Sequence, residues 1–262
     1  MNDMMNLSFW QIASAYIFVL ILIAIIRFRK IPREKEVLIA TARMTLQLII
    51  VGYILVFIFD NASPWYTLLA VFVMLLFAIV NVYQRTKVTI GKDIKKIVAF
   101  AMTVGIICTI AFFMFVVLQL EPWYNPQYFI PIAGMIIGKS MTAVTLGVNH
   151  LAIEMKSKKP QIEGALMLGA TPKVAAAEVV NQAFDAAMLP TINSLVGMGI
   201  VFLPGMMTGQ IIAGASPLVA LGYQIATMLG VVGSVALCVI IFLQLGYKTY
   251  FNDRQQLVDL ED

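Results

Sequence analysis

Seven runs of apolar residues, each 20 residues or longer, divide the chain, and the charged residues gather between them. The runs extend from Leu7 to Ile26, Val37 to Phe59, Pro64 to Tyr83, Ile97 to Leu120, Tyr128 to Val148, Leu189 to about Ala213, and Leu218 to Leu245. A hydrocarbon layer about 30 Å thick is crossed by roughly 20 residues of helix, because a helix satisfies its backbone polar groups internally where lipid offers no partner. The pattern predicts an all-α integral membrane protein of about seven transmembrane helices, organised as a single domain over residues 1–262. Runs five and six are the least regular, being interrupted by Pro131, Gly134, Gly138, Pro204, Gly205 and Gly209.

The cations orient these runs. Arg27, Arg29, Lys30, Arg33 and Lys35 follow the first run; Arg85, Lys87, Lys92, Lys95 and Lys96 follow the third. Lys156, Lys158, Lys159 and Lys173 follow the fifth, and Lys248 and Arg254 occupy the tail. With seven crossings, 16 of the 18 Lys and Arg lie on one side, which the positive-inside rule makes cytoplasmic. The amino terminus is then outside and the carboxyl terminus inside. The opposite connections, DNASPWY at 60–66 and EPWYNPQY at 121–128, carry no Lys or Arg but carry an interfacial set of Trp and Tyr. The first run precedes its positive charges, so it reads as a retained span rather than a cleaved signal, in a multi-pass protein of the plasma membrane.

Composition agrees: 61% of residues are hydrophobic and 12% charged, against about 25% charged in a soluble domain. The net charge of +4 belongs to the cytoplasmic collar, where it meets anionic lipid, and does not indicate a nucleic-acid partner. Cys108 and Cys238 both fall within apolar runs and indicate no disulfide.

No motif in the chain indicates catalysis. GMIIGKS at 134–140 has three residues between its glycines where a phosphate-binding loop needs four, and it lies inside an apolar run. Gly134 with Gly138, and Gly205 with Gly209, are spaced for close helix contact. His150 falls at the cytoplasmic end of run five, and Arg43 lies near enough to the cytoplasmic end of run two to snorkel. Lys139 is deeper. An ammonium at that depth marks a functional position by default, since it needs a cavity or a partner. No Asp or Glu lies well inside any run, which disfavours a proton- or sodium-coupled carrier. The chain is therefore expected not to be an enzyme and to hold no cofactor.

KKPQIEGALMLGATPKVAAAEV, residues 158–179, is too polar and too punctuated to cross a bilayer. Pro160 suits a first helical turn and Gly169 a left-handed helix end; Thr171 and Pro172 suit the start of a second helix. The reading is a cytoplasmic segment of about 154–185 with a short apolar helix, made either to dock in the groove of a partner or to lie on lipid.

Glu163, Gly164, Ala165 and then Gly169, followed downstream by Leu189 and Pro190, resemble the cytoplasmic E-A-A and later G signature of ABC transporter permeases, with Gly164 in place of the first alanine; the resemblance makes these residues, with Leu166, Thr171 and Pro172, the ATPase-coupling segment. The chain more widely resembles the FetB-type (YbbM-like) family of iron-export ABC permeases. TARMTLQLIIVGYIL at 41–55, YFIPIAGMIIGKSM at 128–141, EGALMLGATP at 163–172, LPGMMTGQIIAGASP at 203–217 and YQI at 223–225 carry the likeness in the family's order. Lys139 stands where the second motif leads one to expect asparagine. The resemblance implies a permease that pairs with another copy of itself and with two copies of a separate ATPase, which holds the ATP and magnesium, and that exports iron or a related metal. Residues 163–172 would receive the force.

Lys139 and Ser140, and Pro204, Met206, Met207, Thr208 and Gln210 in the second broken run, are the candidate pathway or gate. Met thioethers are soft ligands that suit copper(I) better than iron(III), so no metal ligand is assigned. Two other readings remain open: a membrane scaffold that docks a cytoplasmic partner without transport, and a secondary carrier.

Overall fold

The computed structural model describes residues 8–86 and 91–258, which are helical with no named strand among them. Leu7, where the first run begins, and Lys87, one of the cytoplasmic cations, lie outside the described residues. The chain falls into two compact units, Met1–Ala62 with Ile212–Gly214, and Ser63–Ile211 with Ala215–Asp262.

The first unit is built on α1 (Phe9–Ala15), α2 (Ile17–Phe28) and α3 (Glu34–Asp60). Ser8 and Gln11 form a reciprocal capping box that starts α1. The hydroxyls of Tyr16, before α2, and Thr45, on α3, share a hydrogen bond. Most large apolar side chains of α2 and α3 are exposed, among them Phe18, Leu20, Leu46 and Leu48. That suits helices whose solvent is hydrocarbon, since lipid tails give leucine no reason to hide.

The second unit contains α4 (Pro64–Arg85), α5 (Lys92–Phe112), α6 (Pro126–Ser157), α7 (Lys159–Met167), α8 (Pro172–Ala175), α9 (Ala177–Gly197) and α11 (Pro217–Gly246). Between α9 and α11 lies α10 (Gly205–Ile212), whose last residue belongs to the first unit. Proline opens α4, α6, α7, α8 and α11, where its missing N–H costs nothing. Helix α5 runs on into a π-helical turn at Phe113–Leu118. The core lies where α4, α5, α6, α9 and α11 meet, around Val98, Ile136, Val144, Ala187, Val235 and Phe242.

Six helical stretches are long and apolar enough to cross a membrane: Trp10–Phe28, Glu34–Asp60, Pro64–Arg85, Lys92–Leu118, Pro126–Ser157 and Pro217–Tyr250. Each overlaps an apolar run of the sequence. The remaining run, Leu189 to about Ala213, is not one helix: it is the end of α9, a non-helical stretch over 198–204, and α10. The physical reason lies in Gly199, Pro204 and Gly205. Gly199 adopts φ +84°, and Pro204 lacks an N–H to continue the ladder. Helix α9 itself begins at Ala177, twelve residues before the run, and carries Glu178, Asn181, Gln182 and Asp185.

Cross-helix contacts give directions within this unit. Tyr128 stacks on Tyr223, Ser140 bonds to Ser234, and Leu151 lies against Gly246, so α6 and α11 run parallel. Lys139 meets Ser194, Gly147 meets Ala187 and Lys158 meets Glu178, so α9 runs the other way. Two parallel neighbours need a return path between them, and α9, 198–204 and α10 provide it.

Candidate functional site

At the end of α6 marked by Lys156 and Lys158, the chain leaves the bundle in a tight sequence of turns. Helix α7 has nine residues, about 14 Å at 1.5 Å per residue. Ile162, 2% exposed, anchors it to the core. Its carboxyl end is a Schellman motif: Ala170 N–H donates to Ala165 O and Gly169 N–H to Leu166 O, both at 3.0 Å, with Gly169 at φ +89°. Thr171 then takes an extended conformation, and its carbonyl accepts the amides of Val174 and Ala175 at 2.9 Å; its side chain makes no capping bond. This geometry leaves Met167 and Leu168 protruding, 86% and 91% exposed, with Val174 exposed in the next helix. Glu163, Gly164, Ala165 and Leu166 are half-buried along the helix, and Pro172 sits at the start of α8.

A hook from the carboxyl end completes this surface. Asn252 Oδ1 accepts from the amides of Arg254 and Gln256 at 3.0 and 2.9 Å, and Phe251 and Leu257 pair across the turn. Arg254, Gln255, Gln256 and Leu257 then face Glu163, Leu166, Met167, Gly169 and Ala170 across a cleft of 490 Å³. Lys158 ties α6 to the first turn of α9: its Nζ donates to Glu178 Oε1 and Gln182 Oε1, each at 2.7 Å, with Glu154 Oε2 at 3.6 Å. The hydrogen bond to Glu178 raises Lys158 above its ordinary pKa, and the same bond lowers Glu178 below the ordinary carboxylate value.

The pathway candidates separate into different places. Lys139 is exposed on α6, with Nζ 3.4 Å from Ser194 Oγ. Ser140, the next residue, is wholly buried and bonded at 3.0 Å to Ser234 Oγ, so it joins α6 to α11. Pro204 precedes α10, and its carbonyl accepts both the amide and the hydroxyl of Thr208, at 3.0 and 3.1 Å. Met206 packs against the core and Met207 is half-buried. The side-chain oxygen of Gln210 is buried without a hydrogen-bond partner among the described residues.

One buried polar residue, Gln224, carries no signal in the sequence. Gln224, 2% exposed on α11, has Nε2 4.0 Å from Met198 Sδ and leaves Oε1 without a partner among the described residues. A buried amide oxygen left bare is costly, and it sits beside the end of α9, where the return path breaks. The YQI run contained Gln224, yet nothing marked its burial. Asp185 is exposed on α9, two residues from the Ala187–Gly147 contact. Among the described residues no group of three His, Cys, Asp or Glu side chains is placed to hold a metal ion.

A family profile described as "Uncharacterised protein family (UPF0014)" matches residues 9–251. The chain belongs to the UPF0014 family. It is 37% identical over 255 residues to "UPF0014 membrane protein YjkA" of Bacillus subtilis (strain 168), covering 96% of this chain and 98% of that one. It is 36% identical over 253 residues to "Probable iron export permease protein FetB" of Escherichia coli (strain K12), covering 97% and 96%. "Protein ALUMINUM SENSITIVE 3" of Arabidopsis thaliana is 33% identical over 246 residues, covering 94% and 88%. No solved structure matches. With its six long apolar helices, this UPF0014 chain is a multi-pass membrane protein.

Proposed function

We propose that the chain is the membrane subunit of an ATP-driven exporter of iron or a related metal, working as a pair of copies with a separate ATPase. The observation that carries this reading is α7: a nine-residue helix, anchored by Ile162 and ended at Gly169, holding Met167 and Leu168 clear of the bundle at its cationic end. Exposed apolar side chains outside the hydrocarbon layer suit a protein groove. The name of the Escherichia coli relative supports iron as cargo. Counting the broken return path, the chain makes seven crossings with its amino terminus outside, and α7 lies in the cytoplasm within reach of an ATPase. Closure of two ATPases on ATP would pull the α7 segments and open the paired bundles to the other side.

The test is reconstitution of the chain in vesicles with its candidate ATPase and measurement of ATP-dependent iron movement. Transport that requires both subunits and fails with Met167→Glu and Leu168→Glu together is the expected result. Partner binding without any transport would replace this reading by a scaffold, and iron movement without the ATPase would replace it by a carrier.

A further inference from the structure

Lys139 lies 11 residues, about 17 Å, from Tyr128 and nine residues, about 14 Å, from Val148, the two ends of the apolar run that α6 carries. That is beyond the reach of a lysine stem snorkelling to either end. The side chain nevertheless points out of the bundle, and its one hydrogen bond among the described residues is the 3.4 Å contact with Ser194. No carboxylate neutralises it along the elements that meet there. The nearest on α6 is Glu154, 15 residues and about 22 Å away, and the nearest on α9 is Asp185, nine residues and about 14 Å from Ser194. An uncompensated ammonium at this depth is costly against lipid and calls for a water-filled cavity or a partner. Its neighbours have the same character: Thr142 and Asn149 follow Lys139 at three- and ten-residue spacing on the outward side of α6, and Asn193 is exposed beside Ser194. Ala143, Val144 and Gly147 fill the core side of the same turns.

We infer that this outward side of α6 and the adjoining end of α9 line a water-filled passage, and that the passage takes an anionic solute: the metal moves as a negatively charged oxygen chelate and not as a bare cation. The substrate class rests on the transport reading above. A fixed positive charge in a narrow aqueous path between low-dielectric walls concentrates anions and repels cations, and the Lys139 ammonium with the exposed Asn193 amide nearby suits carboxylate oxygens, while the Thr142 hydroxyl is spent on the Gly138 carbonyl.

The test uses the full chain in membrane vesicles without an ATPase. In a Cys108→Ser background, Thr142→Cys, Asn193→Cys and, on the exposed side of α11, Leu229→Cys are treated with a sulfonate and a trimethylammonium methanethiosulfonate, with rates normalised to a free thiol in solution. Thr142→Cys and Asn193→Cys are expected to react about tenfold faster with the anionic reagent. Leu229→Cys should react with neither. Adding Lys139→Gln should erase the preference and Lys139→Arg should keep it. Ferric citrate should protect Thr142→Cys where ferrous ion does not. No reaction at 142 and 193 would overturn the passage; a preference for the cation, a preference indifferent to Lys139→Gln, or equal protection by both iron species would overturn the charge selection. A failed reconstitution with the ATPase leaves these outcomes unaffected, and a dry face here leaves the coupling role of α7 standing.

Discussion

The amide of Ala170 reaches back 3.0 Å to the carbonyl of Ala165, and the turn that allows it is held by Gly169 at φ +89°. A Cβ at position 169 would meet nothing within 4 Å, so any effect of substitution is conformational and not steric crowding. A β-branched residue forced into this region costs roughly 1–3 kcal/mol. Gly169→Val is expected to insert normally while redirecting Met167 and Leu168, lowering partner-stimulated ATPase activity about tenfold, the factor that 1.4 kcal/mol commands. Gly169→Asn, which tolerates the left-handed region, should keep most of the activity. Full stimulation in the valine variant would remove α7 from the coupling route.

Gly105 on α5 lies tightly against Cys238 on α11. A Cβ there would stand 2.5 Å from Cys238 Sγ and 3.0 Å from its backbone nitrogen. The thiol can be removed, but the backbone cannot step aside without separating two core helices. Gly105→Ala is therefore expected to destabilise the protein by about 1–3 kcal/mol, seen as a lower thermal midpoint in detergent. Cys238→Ala added to it should recover only part of the loss. Complete recovery would show that the sulfur alone sets the spacing.

Six of the apolar runs became long helices because hydropathy reports the exchange of water for lipid, and that term dominates helices such as α2 and α4. The same signal does not report the break in the helix at 189–213. Ile200, 92% exposed, and Leu203 are as apolar as any span residue, but the backbone between them is not helical. Backbone geometry there is set by Gly199 and Pro204, which a hydropathy sum does not weigh. The cationic end and the Gly169 turn were legible because proline, glycine and charge act locally. Ser140, Gln224 and the carboxyl-terminal hook were not. Their roles depend on which side of a helix meets which neighbour: Ser140 is buried against α11, while Lys139, adjacent in sequence, is exposed.

Lys158 and Glu178 make a stability contribution with a defined pH window. Glu178 is lowered in the folded protein, so its share is present above the ordinary carboxylate value, about 4.3, and is lost as pH falls through the lowered value. Lys158 is raised, so its share is complete below the ordinary lysine value, about 10.4, and is lost only as pH rises through the raised value. Across neutral pH the contact is constant. Glu178→Gln should lower the thermal midpoint at pH 7 relative to the parent, and the difference should shrink steadily as pH falls below the ordinary carboxylate value. A difference that persists unchanged into acid would mean that Gln182 and Glu154, not the Glu178 charge, hold Lys158 in place.

Gln224 separates folding from function most directly. Its Oε1 is buried without a partner among the described residues, beside Met198 at the end of α9. An unmade hydrogen bond of this kind costs about 1–3 kcal/mol, and replacing the amide by an apolar side chain of similar volume removes that cost. Gln224→Leu is expected to raise the thermal midpoint while reducing ATP-driven transport in vesicles, because the bare oxygen is then a group kept for water or solute at the break. Gln224→Glu, which keeps the oxygen and adds a charge, should lower the midpoint. If Gln224→Leu instead lowers stability and leaves transport intact, the oxygen serves packing alone, and the break between α9 and α10 loses its claim to touch what passes.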